Sequence, residues 1–108
     1  MKTHIARSSF QQGDVLGKKL ADWPSGERKV IATVRLVVAH GESGHSHLIE
    51  DDDAELIQIG ERMLLHLARE ATIQHEEHKP ITLSPGIWEI GRVREYDWFS
   101  KMERPIVD

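Results

Sequence analysis

Five of the seven histidines in this chain fall into two short segments. The first reads His40-Gly41-Glu42-Ser43-Gly44-His45-Ser46-His47, the second His75-Glu76-Glu77-His78. Side chains two apart on a strand share one face and lie about 6.6–6.8 Å apart. A strand entering at His45 would therefore present His45 and His47 to one site. Imidazole suits Zn, Fe, Cu or Ni, and Glu42 or His40 could add a further ligand from the loop. His75 and His78 stand three apart. That is not H-E-x-x-H, whose histidines share a helix face at a spacing of four, and Pro80 keeps its predecessor out of helical geometry. The pattern argues against a metalloprotease. If the second segment lies beside the first, His75 and His78 complete a site of several nitrogen ligands. The expected metal ligands are thus His45, His47, His75 and His78, for a divalent transition metal, Zn or Fe. Glu42 and Glu77 are the candidates for a second-shell orienter or a general base. An open metal position would suit hydrolytic or oxygen chemistry, although the residues declare no particular reaction.

Plainer readings accompany each of these residues. Polar loops carry His and Glu without binding anything, and a histidine pair on a strand also serves as a solvated face. His66, among Met63, Leu64, Leu65 and Leu67, reads as a partly buried structural histidine. The acidic run Glu50–Asp53 could hold a hard cation but reads first as a solvated turn. No G-x-x-x-x-G-K-[ST] or G-x-G-x-x-G is present to cradle phosphate, and Gly41-Glu42-Ser43-Gly44 falls one residue short of a nucleophile elbow. Arg92, Arg94, Tyr96, Trp98 and Phe99 mix basic and aromatic groups as a nucleic-acid face would. Glu89, Glu95 and Asp97 interrupt them. With no Cys, thiolate chemistry and disulfides are excluded.

The elements that must position these groups are mainly strands. Lys29–His40 is rich in β-branched residues, with Val30, Ala32, Val34, Leu36 and Val38 on one period-two face. Gln12-Gly13-Asp14 and Asp22–Glu27 read as turns. His45–Ile49 and Ile87–Arg94 read as strands, Ile81–Leu83 as a short extended piece, and His75–Pro80 as a loop. Ala54 to Gln74 stays open. Leu56, Ile59, Met63 and Leu67 sit at helical spacing, while Gly60-Glu61 suits a hairpin between strands Glu55–Ile59 and Arg62–Leu67, with a third at Ala71–His75. Residues 1–9 read as a flexible arm, and 10–108 as one β-rich domain.

The chain has 108 residues and a formal net charge of −4, which fits one domain and argues against nucleic-acid backbone as the main partner. No apolar run approaches the ~20 residues of a membrane span, and the N-terminal residues lack the apolar stretch of a signal peptide. A cytoplasmic location is expected. Trp23, Trp88, Trp98, Phe10 and Phe99 are expected to anchor the core or an interface, and a homodimer is the expected assembly, alongside an unknown protein or small-ligand partner.

Several of these stretches together resemble a family of short, uncharacterised bacterial and phage proteins. The pattern opens with Q-G-D-V, continues with G-E-x-x-G-H-x-H and H-E-E-H-x-P-I, and ends near R-E-Y. Gln12-Gly13-Asp14-Val15, Gly41–His47, His75–Ile81 and Arg94-Glu95-Tyr96 match it. The resemblance implies a compact, mostly β domain encoded on mobile genetic elements. It favours strands over a helix at 54–74 and assigns no catalytic residue. A looser likeness is to the cupins, whose H-x-H is matched by His45 and His47; where their second motif places a His, Trp88-Glu89 stands. The expected fold is a small β-barrel or β-roll, with room for one short helix. The expected function is metal or small-ligand binding by the histidine cluster. The alternative is a non-enzymatic protein-interaction module of a mobile element, in which a structural His/Glu network holds the loops together.

Overall fold

Alternating apolar residues and turn-forming glycines organise the described residues, 4–40 and 46–92 of the computed structural model, into strands alone. In chain order these are β1 (His4–Ala6), β2 (Ser9–Gln12), β3 (Val15–Leu20), β4 (Lys29–His40), β5 (Ser46–Ile59), β6 (Arg62–Leu67), β7 (Ala71–Ile73), β8 (Ile81–Leu83) and β9 (Gly86–Arg92). A six-stranded sheet runs β2-β3-β9-β6-β5-β4 and a three-stranded sheet β1-β8-β7. The fold is mostly β, as expected; among the described residues neither sheet closes on itself, and residues of both sheets contribute to one core. Among the described residues there is no helix, and so none long and apolar enough to cross a membrane.

The helical spacing at 54–74 is overruled by tertiary pairing. Ile59 pairs with Arg62 across Gly60, whose φ of 61° is the left-handed conformation a tight hairpin needs. Leu65 and Leu67 then face the core while Leu64 packs on the outer side with Ile57 and Ile59, under Trp23. Leu, Met and Ala are good helix formers, but burial on both faces of the sheet outweighs propensity. The acidic run is not a turn. It lies inside β5, where the ladder slips between Thr33/Glu55 and Val34/Asp51. Arg69 reaches Asp51 at 3.2 Å and Asp53 at 3.7 Å across this irregularity. Chiefly the Asp53 backbone N–H, and then Arg69, hold the Asp51 carboxyl below the ordinary carboxylate range. Within the N-terminal arm, His4–Ala6 pair in parallel with Ile81–Leu83, and Ala6 is buried.

Trp88 and Phe10 anchor the core as expected. Both are buried, with ring centroids 5.6 Å apart, and the Trp88 Nε1 donates to the Ser84 carbonyl at 2.9 Å. Trp23 is half-buried, with the Arg28 guanidinium 4.0 Å over its ring and His66 tilted against it; Trp98 and Phe99 lie outside the described residues. Phe10 pairs with Gly17 across the β2–β3 hairpin and lays its ring over it, so that a Cβ at Gly17 would sit 1.9 Å from the ring. Gly17→Ala is therefore expected to displace Phe10 from Trp88 and lower stability by about 1–3 kcal/mol, read from urea unfolding followed by Trp fluorescence.

Candidate functional site

One backbone bridge decides which histidines meet. Leu48 and Gln74 exchange hydrogen bonds of 2.9 and 2.8 Å, as an antiparallel pair outside the named ladders. In such a pairing the next residues out are His47 and His75. Their rings lie 4.4 Å apart between centroids. His78 follows on the same loop, 4.8 Å from His75 and nearly parallel to His47 at 6.3 Å. Three of the four expected ligands are thus brought to one place. His45 and Glu42 lie outside the described residues.

Burial separates the three. His47 is 1% exposed, His75 is half-buried and His78 is exposed. The wall opposite them is the β2–β3 hairpin. Gln12 ends β2 and pairs with Val15 across Gly13-Asp14. Gly13 has a φ of 61°, and His78 packs so close over it that an added Cβ would lie 2.7 Å from Nε2. Glycine is needed here for both the turn and the approach. The Gln12 Oε1 lies 2.8 Å from His47 Nδ1, and the Gln12 Nε2 donates to the carbonyls of Ile73 at 3.2 Å and Lys79 at 2.8 Å. Asp14 places Oδ1 3.8 Å from His47 Nε2, and its Oδ2 accepts from Arg92 at 3.2 Å. Glu77 donates its backbone N–H to His75 Nδ1 at 3.0 Å.

Among the described residues, no three His, Asp or Glu side chains converge at metal-ligand distances. The His75 ring is tilted by 36° and 44° against its two neighbours, and the His47 and His78 rings are near-parallel at 6.3 Å. His66, by contrast, lies away from the cluster, 3.3 Å from Glu55 and against Trp23, in keeping with a structural role. Gln12, Asp14 and Arg92 belong to the site as fully as the histidines do. Turn chemistry accounts for Gly13 and its neighbours without announcing that the Gln12 and Asp14 side chains turn inward. The matched Q-G-D-V was the available signal.

Burial first, and then the neighbouring His75, pushes the His47 imidazolium down from its ordinary 6.5 to about 4, against the opposing pull of Asp14. His47 is neutral at pH 7. Between those values the unfolded chain takes up a proton at this position and the folded chain does not. Stability is therefore complete above about pH 6.5 and falls as the pH drops towards 4. In chelator-treated protein, thermal unfolding at pH 7 and pH 4.5 should show a loss of roughly 2–3 kcal/mol from this group. His47→Gln should flatten that dependence.

A family model described as "Domain of unknown function (DUF8820)" matches residues 11–93. No curated protein and no solved structure matches the chain.

Proposed function

The chain belongs to the DUF8820 family, and for it we propose a binding function: a site for a divalent transition metal, Zn or Fe, built on His47, His75 and His78 with Asp14. One observation carries this reading. The His47, His75 and His78 rings, from two separate segments, lie 4.4 to 6.3 Å apart between centroids, and the Asp14 carboxylate of a third segment lies 3.8 Å from the buried His47 Nε2. Nitrogen and carboxylate donors of this kind fit Zn or Fe. His47 is already held, while His75 and His78 sit on a more exposed loop and can re-aim their rings without opening the core. His45 and Glu42, outside the described residues, are the candidates for a further ligand and for a base beside the metal.

A second reading rests on a different observation. The three rings pack against one another and the Gln12 amide ties the 73–79 segment to the hairpin, which suits a structural network in a non-enzymatic interaction module. Such a module would act in the cytoplasm on a protein partner or a second copy, as the likeness to mobile-element proteins implies.

Titration of the chelator-treated protein with Zn²⁺ and, anaerobically, Fe²⁺ separates the two. Metal binding predicts stabilisation of about 2.7 kcal/mol at a hundredfold excess over Kd, a rise in Tm on the order of 10 °C. His78 is exposed, so His78→Ala should abolish or weaken that rise while leaving the metal-free Tm within a degree or so of the parent. No rise with either ion would overturn the metal reading and leave the structural network.

A further inference from the structure

The most constrained polar side chain near the histidines is not a histidine. Gln12 is 2% exposed, and its amide nitrogen has both hydrogens committed, one to the Ile73 carbonyl and one to the Lys79 carbonyl. The opposite amide orientation would set the side-chain oxygen against those two carbonyl oxygens, acceptor against acceptor. The oxygen must therefore face His47. At 2.8 Å from His47 Nδ1 it can only accept, so Nδ1 carries the proton. In a neutral imidazole the other nitrogen then holds a lone pair. That nitrogen is Nε2, which faces the Asp14 carboxylate oxygen at 3.8 Å, beyond direct hydrogen-bond reach.

We infer that Gln12 is a positioning residue that locks His47 in the Nδ1–H tautomer, so that its Nε2 lone pair is left on the side of the ring nearest the Asp14 carboxylate, 3.8 Å away. Left to itself, an imidazole beside a carboxylate would place its proton between the two. The Gln12 carbonyl prevents this by taking the hydrogen on the far side of the ring. This is the arrangement by which metal-ligating histidines are oriented through their second nitrogen. The same amide fixes the start and end of the loop carrying His75 and His78, so one side chain sets both the ligand nitrogen of His47 and the anchor points of its companions. The inference deepens the metal reading and rests on it only for the affinity measurement below.

The test is long-range ¹H–¹⁵N correlation on metal-free protein at pH 7, with His47→Gln used to assign the His47 ring. Nδ1 is expected protonated and Nε2 not; a protonated Nε2 in the parent would overturn the inference. Both Gln12 side-chain N–H hydrogens should be protected from solvent exchange, and fast exchange of both would overturn it equally, without any variant. Gln12→Met removes the acceptor, and the proton is then expected to move to Nε2, facing Asp14. Retention of the Nδ1–H tautomer in Gln12→Met would show that Gln12 is not the determinant. Zn²⁺ affinity should fall roughly 10–100-fold in Gln12→Met, the effect usual for loss of such a partner. If the tautomer moves as expected while the parent binds no Zn²⁺, the positioning role stands and the metal reading fails.

Discussion

Strand β5 has to satisfy two sets of neighbours, and much of the molecule follows from how it does so. Its C-terminal half is held between β4 and β6, while its start pairs with β4 and, through Leu48 and Gln74, with the chain just beyond β7. The ladder slip at Asp51–Ala54 lets a single strand serve both. Side-chain alternation restarts after the slip, so that Ile49 and Ala54 both reach the core although five positions separate them. Arg69, braced on Asp51 and Asp53, holds the irregularity from the solvent side.

The histidine cluster is a consequence of that strand path. The Leu48–Gln74 bridge sets His47 beside His75, and the short loop to Pro80 brings His78 over Gly13. What keeps the assembly from being a loose surface feature is polar burial with complete pairing. Every buried side-chain nitrogen and oxygen among the described residues has a partner, and the Gln12 amide alone joins a hairpin end, a strand end and a loop. Leaving such groups unpaired would cost about 1–3 kcal/mol each. The site is therefore buried and fully hydrogen-bonded where His47 and Gln12 lie and more exposed where His75 and His78 reach the surface. A similar division holds on β9. There Glu89, 7% exposed, takes two hydrogen bonds from Arg62 at 2.8 and 2.7 Å, and the half-exposed guanidinium keeps contact with water.

Much of this was legible along the chain. Lys29–His40, with its β-branched run, is a strand, and the glycines at 13 and 60 mark the hairpins because only a residue free of a Cβ takes a positive φ without strain. Trp88 and Phe10 are core anchors for the reason their size suggests. The gathering of the two histidine segments was also within reach, since unlike stretches rich in one residue type invite the question of whether they meet. What could not be read was the company they keep. Gln12 and Asp14 look like turn residues, and nothing local distinguishes a turn whose side chains point to solvent from one whose side chains close a site.

From the sequence alone came strands in place of helices for most of the chain, the turn positions, the apolar anchors and the four histidines worth watching. Those depend on periodicity, backbone freedom and side-chain chemistry, which are properties of short segments. Three matters were settled only in three dimensions: that the two sheets stay open among the described residues, that residues 54–67 pair as a hairpin despite helical spacing, and that His47 is buried with one nitrogen bound to Gln12. Each rests on contacts between residues far apart in the chain, such as the 35 positions between Gln12 and His47. Burial and hydrogen-bond direction at those contacts exist only once the segments have met.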